Sequence, residues 1–230
     1  MEDNPVGQLN PRYEPIKRLI DIAVAVCVLV ASSPLAVFAA CRIKLEDRGP
    51  ILYRGTRVGV DGCLFSMLKF RTMVVDAARI GGPSTADDDP RLTRAGKLLR
   101  QWKLDELPQF LNVLRGEMSL VGPRPQVAGD VERYSDQERR LLHVRPGITD
   151  WASILFRNEG AILSGHADPD RAYEELIRPR KIELGLAYVM RRNLRIDLQI
   201  LWITALAVVQ PSRTDTLLTK TLYEYECEPN

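Results

Sequence analysis

The sequence predicts a helix-rich mixed α/β fold: a small globular domain carrying an N-terminal membrane-associated helix and amphipathic helices suited to an interface. Three observations predict it. Leu19–Cys41 is an almost unbroken apolar stretch. Two strand-like runs, Ile51–Arg54 and Leu64–Phe70, flank a turn signal at Asp61 and Gly62. From Asp170 to about Val209 the apolar residues return at helical spacing. The boundaries that follow are residues 1–45 for a tail and membrane helix, 46–210 for the domain and 211–230 for a C-terminal tail. At 230 residues the chain buries a core sufficient for one domain, with or without an attached anchor.

Composition removes several function classes. The net charge is only +2, from 32 basic and 30 acidic residues, which gives no footing to a nucleic-acid binder. Cys27, Cys41, Cys63 and Cys227 show no CxxC spacing, so neither a disulfide framework nor a zinc site is expected. Two histidines, His143 and His166, stand outside any metallohydrolase motif, and no nucleophile-elbow or P-loop pattern occurs.

Taken in order, Met1–Arg12 is polar with two prolines and reads as a loose tail. A continuous helix over Leu19–Cys41 would be roughly 34 Å long, enough for a bilayer. Pro34 interrupts it by removing a backbone donor, and the Ser33 hydroxyl can satisfy the carbonyl so freed; a bend is expected at Ser33 and Pro34. Lys17 and Arg18 precede the stretch while Arg42 and Lys44 follow it, so the positive-inside rule puts both ends in the cytoplasm. A helix that enters and returns on one side satisfies this; a proline-kinked span is the alternative. Asp21, one turn after Lys17, is expected to pair with Lys17 or Arg18 near the interface.

In the strand region Lys69 and Arg71 alternate with Phe70, so on a strand they share a face and can reach one anion. Gly81–Pro90, with three consecutive aspartates, reads as a surface loop. Thr93 is placed to cap a helix with Leu98, Leu99 and Trp102 inward and Arg94, Lys97 and Arg100 outward. Asp105 and Glu106 then stand before a helix-period run of Leu107, Phe110, Leu111 and Leu114 that ends at Gly116. That position reads as a helix N-terminus with Asp105 near the cap and Pro108 tolerated in the first turn. Neighbouring carboxylates point about 100° apart around a helix, so each can take its own partner.

Farther on, Pro123 and Pro125 hold Arg124 in extended backbone and present a guanidinium fork that suits phosphate. Ser135 and Glu138 form a capping box that opens a short helix ending before Arg145 and Pro146. In the last third, the stripe of Tyr173, Leu176, Ile177, Leu184, Leu186, Ala187, Tyr188 and Met190 is interleaved with arginines and Lys181. It suits either contact with anionic lipid or burial against the domain. The run Leu198–Val209 is too short for a span.

KFRTM at Lys69–Met73, LDELPQ at Leu104–Gln109, NVLRGEMSLVGPRP at Asn112–Pro125 and RPGIT at Arg145–Thr149 come in the order and approximate spacing of the bacterial sugar transferases. Over about Lys17–Thr204 the chain resembles their monotopic polyprenol-phosphate phosphoglycosyl transferases. The resemblance implies a re-entrant helix broken at Ser33 and Pro34, at the cytoplasmic face of the bacterial inner membrane. It implies transfer of a sugar-1-phosphate from a nucleotide diphosphate sugar, UDP-linked, to polyprenyl (undecaprenyl) phosphate, with release of UMP, as the first membrane step of a surface glycan such as exopolysaccharide or O-antigen.

By motif position, Asp105 is then the nucleophile that forms an aspartyl phosphosugar and Glu106 the ligand of Mg²⁺. Arg124 binds the diphosphate, with Lys69, Arg71 and Arg145 as further neutralising cations. The chain departs from the family where Asp150 and Ser153 stand in place of glycine and glutamine around Trp151, and where Lys103 replaces a small hydroxyl residue. An Asp at a glycine position tolerates left-handed backbone better than most residues. The implied partners are the nucleotide sugar, polyprenyl phosphate and membrane lipid, and the amphipathic C-terminal region is compatible with a homodimer. Two other classes fit the bare residues: a membrane-attached phosphohydrolase and a non-catalytic scaffold of a glycan-assembly complex.

Overall fold

The first helix is inside out: its polar side chains face the protein and its apolar ones face away. The structure, a computed structural model, describes residues 11–82 and 84–227; the expected N-terminal tail lies outside them except for Pro11 and Arg12, as do Pro83 of the aspartate loop and the last three residues. In α1 (Tyr13–Ala31) the buried residues are Tyr13, Asp21 and Ala25, while Leu19, Val26 and Val30 are exposed. Asp21 accepts from the Ser119 hydroxyl at 2.8 Å and from the Leu120 amide at 3.1 Å, and Arg18 donates to the carbonyls of Val113 and Leu114 at 2.6 and 3.0 Å. The expected pairing of Asp21 with Lys17 or Arg18 is therefore replaced, because a buried carboxylate takes the fixed donors that the domain offers. Lys17 reaches Asp197 instead, at 3.0 Å, and Tyr13 and Tyr188 donate to the same carboxylate at 2.9 and 2.7 Å.

The break falls where the proline places it. α2 (Ser33–Asp47) follows at 61° to α1, and the Ser33 hydroxyl donates at 2.8 Å to the Val30 carbonyl, the group that Pro34 leaves without its helical donor. No single described helix is long and apolar enough to cross a membrane, but the bent pair together has the length and composition. At the far end of α2, Glu46 accepts from the amides of Arg94 and Ala95, both at 2.8 Å, and Asp47 pairs with Arg71. Two adjacent carboxylates thus fasten the helix pair to the domain.

β1 (Leu52–Val58) and β2 (Leu64–Phe70) form an antiparallel hairpin, with Asp61 and Gly62 at φ 53° and 80° in its turn. β1 runs four residues past the expected end because pairing with β2 carries it through Gly55. Thr93 caps α3 (Arg94–Gln101) by accepting from the Gly96 amide. Only Leu99 of the expected inward trio is buried; Leu98 is 37% and Trp102 60% exposed. Ala95 and Leu99 already fill that side of so short a helix. α4 (Gln109–Arg115) ends at Gly116, whose φ of 82° is the left-handed C-terminal conformation glycine adopts freely. Its fully buried Asn112 accepts from the Leu68 amide at 2.9 Å and donates to the Ser66 carbonyl at 2.8 Å, which locks α4 onto β2.

β3 (Ser119–Val121) and β4 (Gly147–Thr149) pair in parallel and join the GPRP and RPGIT segments. A Cβ on Gly122 would strike the Arg145 carbonyl, and one on Gly147 would strike the Gly122 backbone. The glycines are there for contact, not for unusual φ. Beyond α5 (Ala128–Glu132) the Ser135 and Glu138 capping box forms reciprocally, at 2.7 and 3.3 Å.

Six helices complete the chain: α6 (Trp151–Leu155), α7 (Glu159–Leu163), α8 (Pro169–Leu176), α9 (Arg178–Arg191), α10 (Leu194–Val209) and α11 (Pro211–Cys227). Ile177, Leu184 and Tyr188 of the basic amphipathic stretch are buried in the domain, while Leu198, Trp202 and Val208 of α10 stay exposed. Residues from Pro211 form a helix and not the expected tail. Leu218, Leu222 and Tyr225, at spacings that share one helix face, join Trp151 and Ile200 in the largest core.

Gly147→Ala is expected to destabilise the protein by about 2 kcal/mol, the usual cost of overpacking. Denaturant midpoints of the two proteins in the same detergent measure it.

Candidate active site

One carboxylate gathers the motifs. Leu104–Glu106 is a single 3₁₀ turn that follows Lys103, whose φ of 54° is left-handed. α4 begins only later, with Pro108 at its cap position and no side-chain cap. The capping role expected of Asp105 is not what forms, because the turn separates the acid pair from the first free amides of α4. Glu106 instead accepts from Lys69 Nζ of β2 at 3.1 Å and pairs with Arg124 Nη2, and both bonds go to the same oxygen, Oε1. Arg124 is held from its other side by the Ile148 carbonyl of β4, at 2.7 Å. KFRTM, LDELPQ, GPRP and RPGIT therefore meet within one hydrogen-bonded group.

Arg71 and Arg145, also expected here, make their contacts elsewhere. β2 ends at Phe70, so Arg71 leaves the face that Lys69 occupies and pairs with Asp47 at the end of α2, beneath Gly49. Arg145 donates to the Gly116 carbonyl at 3.2 Å and lies 3.9 Å from Glu14 of α1. In the aspartate loop, Asp89 is taken up by Arg91, and the Thr85 carbonyl accepts from Arg100 at 3.3 Å.

The two neighbouring carboxylates are driven in opposite directions. Burial alone would raise the Glu106 pKa, but the charges of Arg124 and Lys69, with the hydrogen bonds they donate, hold it well below the carboxylate range. Burial raises Asp105, and the charge of Glu106 beside it raises it further; Lys69, Arg100 and Lys103 offset part of this. Asp105 Oδ1 is buried and has no hydrogen-bond partner. Lys69 and Arg124, with Arg100 and Lys103 nearby, outnumber the two carboxylates even when both are ionised, which favours an incoming anion.

These oxygens are chemically suited to Mg²⁺, which is held by one or two carboxylates together with substrate phosphates. Lys69 and Arg124 both bond to Glu106 Oε1, so Oε2 is the second oxygen of that carboxylate, and Asp105 Oδ1 is an unpartnered hard donor. Among the described residues no cluster of three or more His, Cys, Asp or Glu could form an all-protein cage.

A cleft opens on the other side of Arg124, lined by Gln126, Tyr134, Asp150, Ser153 and Lys181 among others. Two of the three positions that depart from the family pattern, Asp150 and Ser153, line it. Asp150 has φ −159°, extended backbone rather than left-handed, and its carboxylate caps α6 by accepting from the Ser153 amide at 2.6 Å. Aspartate takes the position as a helix cap, which needs no glycine. Lys103, the third departure, donates to the Arg157 carbonyl at 3.0 Å.

Sequence reasoning missed Gln109 and Asn112. Both are fully buried, and neither amide atom of Gln109 has a partner. Their signal was available as two amides, three residues apart, on the face of α4 that points inward.

Asp105→Asn is expected to raise stability near neutrality. A buried carboxyl with a raised folded-state pKa binds protons more tightly folded than unfolded, so its cost appears as pH rises and is absent below both pKa values. The variant should melt above wild type at about pH 8, with the difference gone by about pH 3, as thermal melts across that range would show.

The family model described as bacterial sugar transferase matches residues 12–211. The chain is 36% identical over 209 residues to the UDP-N-acetylgalactosamine-undecaprenyl-phosphate N-acetylgalactosaminephosphotransferase of Aeromonas hydrophila, covering 89% of this chain and 46% of that protein. It is 35% identical over 206 residues to the UDP-glucose:undecaprenyl-phosphate glucose-1-phosphate transferase of Escherichia coli, covering 88% and 41%. The uncharacterized sugar transferase EpsL of Bacillus subtilis is 34% identical over 194 residues, covering 84% and 87%. The chain thus spans less than half the length of the first two and most of the third. With its motifs joined at Glu106 and the family model covering nearly all of it, the chain belongs to the bacterial sugar transferase family.

Proposed function

We propose that this protein moves a sugar-1-phosphate from a UDP-sugar to undecaprenyl phosphate at the cytoplasmic face of the bacterial inner membrane, the first membrane step of a surface glycan. The observation that carries the reading is the split acid pair: Glu106 clamped by Arg124 and Lys69, and Asp105 beside it with an unpartnered oxygen. Similar proteins named as undecaprenyl-phosphate sugar phosphotransferases support the substrate classes.

In this mechanism the diphosphate enters against Arg124 and Lys69, where excess positive charge neutralises its oxygens. An ionised Asp105 oxygen attacks the phosphorus that bears the sugar. The bond from that phosphorus to the UMP oxygen breaks, and UMP leaves with the electron pair. A phosphate oxygen of the lipid acceptor then attacks the same phosphorus, and the Asp105 carboxylate departs unchanged. A carboxylate needs no general base to attack, so the absence of a paired histidine is no obstacle. Glu106 would hold Mg²⁺, which when bound supplies Lewis-acid neutralisation of the phosphate oxygens.

The acceptor phosphate cannot leave the headgroup layer, so the site must sit against it. The bent α1 and α2 pair, apolar outward and basic at both ends, enters and leaves the cytoplasmic leaflet as a re-entrant anchor in this reading.

Asp105→Asn is expected to lower turnover by about a thousandfold or more and to abolish the phosphosugar adduct that mass spectrometry detects in wild type given donor without acceptor. UMP release that depends on undecaprenyl phosphate supports transfer; release to water alone would mark a hydrolase, and wild-type turnover by the variant rules out the covalent route. Tags placed before α1 and after α2 should both be labelled only from the cytoplasmic side, and labelling on opposite sides excludes the re-entrant anchor.

A further inference from the structure

The cleft between α1 and the β3–β4 pair is lined by four cations, Lys17, Arg18, Arg145 and Arg192, and by the carboxylates of Glu14 and Asp21. Most of these groups are already used. Asp21 is satisfied by Ser119 and Leu120, Arg18 by the carbonyls that end α4, and Lys17 by Asp197. What remains is Arg192, Glu14 and the outer end of Arg145, whose Nε alone is held, by the Gly116 carbonyl.

Arg192 is the anomaly. Its side chain is only 8% exposed, its Nη2 lies 3.3 Å from Glu14, and its Nε and Nη1 have no partner at all. A buried guanidinium with two orphan donors is costly unless something accepts from it. Glu14 is a poor fit for that task. Half exposed, it straddles Arg192 and Arg145 at 3.3 and 3.9 Å and leaves both orphan donors unmet.

We infer that this cleft is a second anion site, separate from Glu106, that takes a phosphate group on Arg192 and Arg145 and displaces the Glu14 carboxylate. Once Glu14 leaves Nη2, a tetrahedral oxyanion can accept from Nε and Nη2 along one edge of the Arg192 guanidinium and still present an oxygen to Arg145. Lys17 and Arg18 in the wall add long-range attraction.

The cleft also has a place relative to the anchor. Ile16 and Leu19, which alternate around the same turn as Lys17 and Arg18, begin the exposed apolar face of α1. A phosphate there sits where lipid headgroups meet the start of the anchor, so a headgroup phosphate is one source and free phosphate the other. The lipid source rests on the re-entrant reading; binding of free phosphate does not, so failure of one is distinguishable from failure of the other.

The test uses the full chain, reconstituted in nanodiscs of phosphatidylcholine and phosphatidylglycerol, released into detergent and weighed by native mass spectrometry. Wild type is expected to retain phosphatidylglycerol, Arg192→Gln about tenfold less, and Glu14→Gln more than wild type because the competing carboxylate is gone. Inorganic phosphate, added in detergent, is the second probe. If it raises the melting temperature of wild type but not of Arg192→Gln, and no lipid is retained, the site takes free phosphate. Equal behaviour of wild type and Arg192→Gln toward both probes overturns the site. Should Arg192→Gln fail to fold, Glu14→Gln decides alone: unchanged or weaker binding of both probes overturns the proposal.

Discussion

The pairing of Glu106 with both Lys69 and Arg124 is the interaction on which the rest of the site depends. Lys69 comes from a hairpin, Glu106 from an isolated turn, and Arg124 from the stiff segment after β3, so three pieces of chain distant in sequence are held by one side chain. It also sets the local electrostatics. The two cations keep Glu106 ionised despite burial, and that fixed negative charge adds to the burial that already raises the neighbouring Asp105. Asp105 is left with a buried oxygen and nothing to bond, an arrangement that costs stability and is retained where a ligand completes it.

The first two helices are tied to the domain at both ends. α1 turns Tyr13, Lys17, Arg18 and Asp21 toward the domain and leaves its aliphatic residues outside. In the proposed re-entrant arrangement, polar groups facing the protein and apolar groups facing lipid are the stable distribution. At the other end, Glu46 caps α3 and Asp47 takes Arg71, directly after the strand that carries Lys69. The helix pair is thus fastened beside β2 and α3, the two elements that flank the acid pair. Arg71 pairs with Asp47 at that junction, away from the Lys69–Glu106–Arg124 group.

Close backbone packing supplies the remaining rigidity. Gly122 and Gly147 let the segments around Arg124 and Ile148 approach until only hydrogen fits, and Asn112 binds α4 to β2 from within. Between them these contacts fix the direction of the Arg124 fork without any help from substrate. Preorganised donors of this kind need no rearrangement when charge develops on a transferred phosphoryl group.

Much of this was legible in the residues. The bend at Ser33 and Pro34, the hairpin turn at Asp61 and Gly62, the Thr93 cap and the Ser135–Glu138 box are local events, and local backbone chemistry decides them. The motifs named the acid pair and Arg124, but their sequence spacing carried no information on which cation meets which carboxylate. Lys69 and Arg71 look equivalent by alternation, and only the end of β2 separates them. The same holds for Asp21, which sequence proximity assigns to Lys17 and tertiary packing assigns to Ser119. The helix from Pro211 hid its stripe of Leu218, Leu222 and Tyr225 among polar residues, and burial against Trp151 selected it. Short-range torsional and capping preferences were thus settled by the chain itself, whereas every partner of a buried charge was settled by the fold, because desolvation forces a charge to take whatever donor lies nearest in space.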